Sequence, residues 1–253
     1  MRQGQLAVYA LRIGAVVVIL GAWLIASGPG HVSPLLVPSL PSVASAFWQT
    51  ITGGELWMAA LYTVYEIAVA AVISSILGVL VGFWVARRSA RVKIFEPMLA
   101  WGYITPFVLF YPLFILVLGI DFSSKIAFAA TGAFFPVAYM SARAFSNVNR
   151  IYLTMARAFG ATPRQSDWTI KIRASLPMVR SGLRIGMATC LIFVILAEML
   201  GSARGLGFLL AKESQTLAVP EAYALTVVIL ILAAIFQSAL NRTMGGDAQM
   251  VRR

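Results

Sequence analysis

The sequence predicts an all-α polytopic membrane protein, one domain over residues 1–253 with about six transmembrane helices. Apolar residues make up 60% of the chain and charged residues only 11%, whereas soluble domains carry roughly 25% charged residues. The few charges lie between long apolar runs, the pattern a bilayer imposes. They are also shared unequally between the two sides of those runs. Seventeen of the twenty lysines and arginines fall on one side.

The first run, about 8–27, is expected to be a retained span, because no small-residue cleavage site follows a short apolar core. The segment from His31 to Pro41 contains Pro34, Pro38 and Pro41 and is expected to be non-helical, since proline lacks the amide donor. His31 is the chain's one histidine, which excludes a histidine metal cluster and leaves a solvated loop residue as its reading. Pro41 suits a first helical position behind Ser39 or Leu40. Val43, Phe47, Trp48 and Ile51 then recur at helical spacing, so an amphipathic helix is expected flat on the outer membrane surface.

The second span, about 61–86, carries Gly78 and Gly82 four residues apart, a signature of close helix packing. Glu66, near its outer end, is placed within reach of the interface. The third span, about 97–119, contains Pro106 and Pro112, and the fourth, about 124–143, contains Pro136. Only Ile120, Asp121, Phe122 and Ser123 separate these two, which forces an antiparallel hairpin. A proline inside a helix frees the carbonyl four residues earlier, here those of Gly102, Val108 and Gly132. Thr105, Pro106, Tyr111, Pro112, Pro136 and Tyr139 are therefore candidates to line a pathway; the alternative is that the prolines merely kink packed helices.

The fifth span, about 183–202, places Glu198 close to its outer end. There it either gates the outer mouth or caps the turn at Gly205, Leu206 and Gly207. Cys190 in the same span reads as a small buried apolar residue. The sixth span covers about 221–240. No lysine or arginine is expected deep in any span. A small anion would then be met by backbone dipoles and hydroxyls, or the substrate is apolar or aromatic.

Basic residues set the orientation. Arg2 and Arg12, the cluster from Arg87 to Lys93, eight residues between Arg143 and Arg184, and Arg242, Arg252 and Arg253 share one side. Lys125, Arg204 and Lys212 lie on the other. By the positive-inside rule both termini are cytoplasmic. The net charge of +11 is then a matter of topology, and nucleic acid is not an expected partner. The chain has no G-x-x-x-x-G-K-[ST], no G-x-S-x-G, no H-E-x-x-H and no paired cysteines, so it is not expected to hydrolyse ATP through a P-loop, to act as an enzyme or to bind a metal.

The most unusual element is the loop over about 146–182, far longer than a connection between neighbouring helices requires. Ile151, Met155, Ala158 and Phe159 mark one apolar helical face, and Gly160 is a natural helix stop. A second helix can restart after Pro163, with Trp168, Ile170 and Ile172 among basic residues. Such a helix–glycine–helix unit either docks a partner or rests on anionic headgroups.

These residues carry a resemblance. Thr154, Met155, Ala156, Arg157, Ala158, Phe159 and Gly160, followed nine residues after the glycine by Ile170, resemble the EAA signature of ABC importer permeases. Thr154 stands where that pattern has glutamate, and Ile172-Arg173 replaces its Leu-Pro. Leu176-Pro177 is similar to a second such pair in the nitrate/sulfonate/taurine branch. Leu36-Val37-Pro38-Ser39, Pro112-Leu113, Gly119-Ile120, Lys125-Ile126, Ala197-Glu198-Met199 and Gly205-Leu206-Gly207 extend the likeness from about Leu36 to Ala239. The resemblance implies a type I ABC importer permease of the bacterial inner membrane, working as two permease copies. It further implies a cytoplasmic ATPase that binds ATP and docks on the EAA loop, and a periplasmic substrate-binding protein. A small organic or inorganic anion or an aromatic compound would be the substrate. A self-contained secondary transporter is the alternative, although no internal repeat is visible.

Overall fold

The computed structural model describes residues 2–28, 32–33 and 36–244; His31, Pro34, Arg252 and Arg253 lie outside them. The described chain is helical throughout its ordered elements. It runs α1 (Arg2–Ala26), α2 (Leu40–Thr52), α3 (Gly54–Ala86), α4 (Ser89–Ile104), a 3₁₀ turn (Phe107–Phe110), α5 (Tyr111–Leu118) and α6 (Phe122–Ser146). After these come α7 (Arg150–Ala158), a short α8 (Pro163–Gln165), a π-helical turn (Ser166–Lys171), α9 (Ile172–Gly201), α10 (Leu206–Gln215) and α11 (Val219–Met244).

α6 is the central post, flanked by α3 and α9. Its side chains are small where the neighbours approach: Ala129, Ala130 and Ala133 pack with Ile67, Ala70 and Ala71 of α3 and with Cys190 and Val194 of α9. Glycines bring the backbones still closer. A Cβ added at Gly78 would lie 2.6 Å from Val137, and one at Gly82 would lie 2.5 Å from the Cβ of Ser141. On the opposite flank Gly182 and Gly186 of α9 abut Met140 and Val137. Two small-xxx-small pairs, one on each neighbour, therefore clasp the middle of α6. The expected packing role of Gly78 and Gly82 is what the geometry has. With so many small and polar residues, α6 is less apolar than α3, α9 and α11, which are each long and apolar enough to cross a membrane.

Three local expectations are corrected. The third apolar run is not one continuous helix: α4 and the segment Phe107–Leu118 are bent by 82° at the break over Thr105 and Pro106. Pro112 then sits in the first turn of α5, where its missing donor is one the helix would leave unpaired anyway. The carbonyl of Val108, expected to be freed, accepts the Tyr111 N–H. Secondly, α2 begins as read, with Ser39 as N-cap and Pro41 in the first turn, but its apolar face is covered by protein. Val43 and Ala46 are buried, and Ile51 packs toward Leu56, Leu209 and Leu225. Thirdly, the second helix of the long loop does not end before the fifth span. It passes through the π-helical turn into α9 without a break, with Pro177 inside the helix.

Candidate functional site

Two places concentrate polar chemistry, one at each end of the helices. The first lies where the ends of α3, α6, α9 and α10 meet. Thr63 and Glu66 stand three residues apart on one face of α3 and are both fully buried. The Thr63 hydroxyl donates to Glu198 Oε1 at 2.7 Å and accepts the Leu206 N–H at 2.9 Å. Glu198 Oε2 accepts the Gly207 N–H at 2.8 Å. The carboxylate thus satisfies an orphan donor at the start of α10, where an anion is also favoured by the helix dipole. Gly205 has φ +109°, and a Cβ there would collide with that carboxylate. Of the two roles left open for Glu198, the geometry has the capping one.

Beside it, Lys125 of α6 is ion-paired with Glu66, and both side chains are removed from solvent. Lys125 also donates to Ser202 Oγ at 3.0 Å. One expectation falls here: Glu66 is fully buried and does not reach the interface. Lys125 stands in the first turn of α6, not deep in the span, yet its side chain is buried. Lys125 opens the fourth apolar run, so by position alone it belongs to the outer side and nothing local announces its burial. A usable signal existed in the Thr63-x-x-Glu66 spacing, which puts two polar groups on one face of an otherwise apolar helix and calls for a partner.

The remaining candidates divide by exposure. Tyr111 and Pro136 are buried; Tyr111 packs on Phe128 and donates to the Gly201 carbonyl at 3.3 Å. Thr105, Pro106 and Pro112 are exposed around the 82° bend. Just behind them Phe107 meets Phe110, Phe114, Phe128, Phe135 and Phe193, each ring centroid within 6.2 Å. Tyr139 is partly exposed nearer the other end, where its hydroxyl accepts from Arg143 at 3.2 Å.

The second place is the loop between α6 and α9. Asn149 caps α7 by accepting the Ile151 N–H. At its other end Gly160 has φ +78°, its N–H reaches the Arg157 carbonyl at 3.0 Å, and the Ala161 N–H reaches the Ala156 carbonyl at 2.9 Å. This is a Schellman stop, which favours glycine at the left-handed position. The chain restarts at once: the Gln165 side chain accepts the Thr162 N–H at 2.9 Å, and Thr162 Oγ1 accepts the Gln165 N–H at 3.3 Å, a capping box. Trp168 rests on Phe83 of α3 at 5.4 Å, and Phe83 on Phe145 of α6 at 5.1 Å, which ties the loop to the ends of two packed helices. Ala156 faces the protein, while Thr154, Met155, Arg157, Ala158, Phe159 and Gly160 are exposed, as are Leu176 and Pro177; Ile170 is half-buried. Phe159 exposes 86% of its surface and Ile151 61%, an apolar face that the protein itself leaves uncovered.

Residues 74–244, more than half of the chain, match the model of the binding-protein-dependent transport system inner membrane component family. The chain belongs to that family. It is a multi-pass inner-membrane permease subunit of an ABC importer. Among its relatives, the aliphatic sulfonates transport permease protein SsuC of Bacillus subtilis is 29% identical over 199 residues, covering 78% of this chain and 72% of the relative. The taurine transport system permease protein TauC of Escherichia coli is 27% identical over 237 residues, covering 91% and 86%. The fold is shared with a chain of the MetNI methionine ABC transporter solved in inward-facing conformations. There the TM-score is 0.59 at 20% identity, with 82% of this chain and 96% of that one covered.

Proposed function

We propose that this permease imports a small organic sulfonate, and that α7 with its Gly160 stop is the surface on which a cytoplasmic ATPase docks. The observation that carries the docking role is the uncovered apolar face of α7, held in place by a cap at each end and anchored through Trp168. A helix resting on headgroups needs no such rigid stop, whereas a socket transmitting force does. ATP belongs to the partner, and the exposed residues of the EAA-like stretch from Thr154 to Gly160, with Ile170, Leu176 and Pro177, form the contact, while Ala156 seats the helix on the protein. Both termini are cytoplasmic, and a periplasmic binding protein delivers substrate to a pathway formed by two permease copies. Thr105, Pro106 and Pro112 at the bend line that pathway. The sulfonate class rests on the permeases this chain is similar to, which are named for sulfonates and taurine.

Phe159→Glu and Met155→Glu test the docking surface without disturbing a packed core, since both residues are exposed. Each variant is expected to assemble in the membrane but to lose co-purification of the cognate ATPase. Undiminished ATPase binding by both would sink the proposal.

A further inference from the structure

We infer that the groove between the cytoplasmic halves of α9 and α11 is a binding site for an anionic phospholipid of the inner leaflet, its phosphate held by Arg184. The leaflet rests on the orientation given above; the chemistry of the groove does not.

The groove has a volume of about 390 Å³ and is walled by Arg184, Ala188 and Ile192 of α9 and by Gln237 and Asn241 of α11. Both helices are long and apolar enough to cross a membrane. Arg184 stands seventeen residues before Gly201, the last residue of α9, which is about 25 Å along the axis at about 1.5 Å per residue. Against a hydrocarbon core of about 30 Å, that puts its guanidinium at the level of the inner headgroups.

The mouth of the groove is polar and rich in donors. Arg184 donates to Ser181 Oγ at 3.1 Å and to Asn241 Oδ1 at 3.5 Å. Both partners are neutral, and among the described residues no carboxylate lies within ion-pairing distance of Arg184. The Ser181 hydroxyl is itself committed to the Pro177 carbonyl at 3.1 Å, so the serine positions the guanidinium without discharging it. Among the described residues the Asn241 amide spends none of its donors, and Gln237, one turn deeper, makes no side-chain hydrogen bond. A cation and two amides around an opening at headgroup depth suit an acceptor-rich anion, and a phosphate offers several oxygens to a guanidinium fork.

Below the mouth the lining turns apolar. Ile185, Ala188 and Ile192 follow along α9, and the Thr189 hydroxyl is spent on the Ile185 carbonyl at 2.9 Å. Ile192 lies eight residues past Arg184, about 12 Å deeper in the bilayer. A free oxyanion would use the mouth alone, whereas an amphiphile with a phosphate head uses both mouth and floor. An arginine that merely snorkels to water needs neither the two amides nor a cavity.

Inorganic phosphate and a carboxylate of a second copy of the chain are the competing partners for Arg184, and the test separates them from the lipid. The full chain, purified and delipidated in dodecyl maltoside, is titrated with dioctanoyl phosphatidylglycerol, dioctanoylglycerol and inorganic phosphate. Native mass spectrometry follows the two lipids and calorimetry the phosphate. Phosphatidylglycerol is expected to bind about tenfold or more tightly than either dioctanoylglycerol or phosphate. Arg184→Gln should weaken phosphatidylglycerol about tenfold, the loss expected for one charge-assisted contact, and leave dioctanoylglycerol unchanged. Ala188→Phe, which fills the floor without touching the charge, should weaken both lipids and not phosphate.

Phosphate or dioctanoylglycerol binding as tightly as phosphatidylglycerol overturns the site, and so does Arg184→Gln indistinguishable from wild type. Phosphatidylglycerol found on the monomer and excluded from the dimer assigns the groove to a second copy and overturns it too. An assembled transporter that takes up no sulfonate would strike the permease reading and leave these lipid affinities where they are.

Discussion

The Thr63 hydroxyl and the Glu198 carboxylate lie 2.7 Å apart although 135 residues separate them in the chain. Through that bond and the Leu206 and Gly207 amides, α3, α9 and α10 share one buried junction. Glu198→Ala strands the buried Gly207 N–H, whereas the Thr63 hydroxyl retains the Ala59 carbonyl at 3.1 Å as an acceptor. The variant is expected to lose about 1–3 kcal/mol of stability, the range for one buried donor left unsatisfied. Glu198→Gln, which keeps one acceptor oxygen and the shape, should lose less. Thermal unfolding followed by tryptophan fluorescence ranks the two, and equal midpoints would remove the junction from the account.

The Glu66–Lys125 pair makes a sharper forecast. Both partners are excluded from water, so deleting one leaves a buried charge. Lys125→Met alone is expected to destabilise by about 3–5 kcal/mol, while the double variant Glu66→Leu/Lys125→Met should return to within about 1 kcal/mol of wild type. A double variant no better than the single would mean that the pair does not interact as an isolated couple.

Glycine positions separate packing from mere membership of a span. At Gly82 a Cβ would press on Ser141 and on the Ala138 carbonyl at 2.8 Å, so backbone must move. Gly82→Ala should cost about 1–3 kcal/mol, the range for overpacking. At Gly14 and Gly21 nothing lies within 4 Å, and alanine there should be neutral or mildly stabilising through helix propensity. Comparable losses at all three positions would contradict a clasped α6.

Two helix ends use the same stop with opposite residue choices. Gly160 takes φ +78° after α7, and Leu217 takes φ +58° after α10, with the Ala218 N–H on the Glu213 carbonyl at 3.0 Å. Leu217→Gly is expected to stabilise by about 1 kcal/mol by relieving a left-handed side chain. Gly160→Val should cost about the same locally, and Gly160→Asn less. Because nothing lies near Gly160, its valine variant should fold and insert while transport activity falls. Measuring melting temperature and uptake on the same preparations tests both halves.

Much of the architecture was legible beforehand because hydropathy, proline and glycine act locally. The close-packing glycines of α3, the Ser39–Pro41 start of α2 and the Gly160 stop all declare themselves within a few residues. Lys125 did not. A lysine four residues behind an aspartate at the edge of an apolar run looks like the end of a loop, and nothing local says that Glu66, nearly sixty positions earlier, waits for it across a helix interface. The 82° break at Pro106 was equally hidden, since a proline in an apolar run is compatible with a kink as well as with two separate helices.

The chain's long apolar runs, its skewed lysines and arginines and the motif ending in Gly160 by themselves determined that it is a helical membrane protein with a helix–glycine–helix loop. Family membership agrees with that reading. Only the tertiary structure decided that Glu198 caps α10, that Lys125 neutralises Glu66, and that Arg184 and Asn241 line one groove. The physical reason is range. Burial in lipid is decided residue by residue along a helix, whereas a buried charge is tolerable only where a distant segment brings its partner, and that depends on how the helices pack.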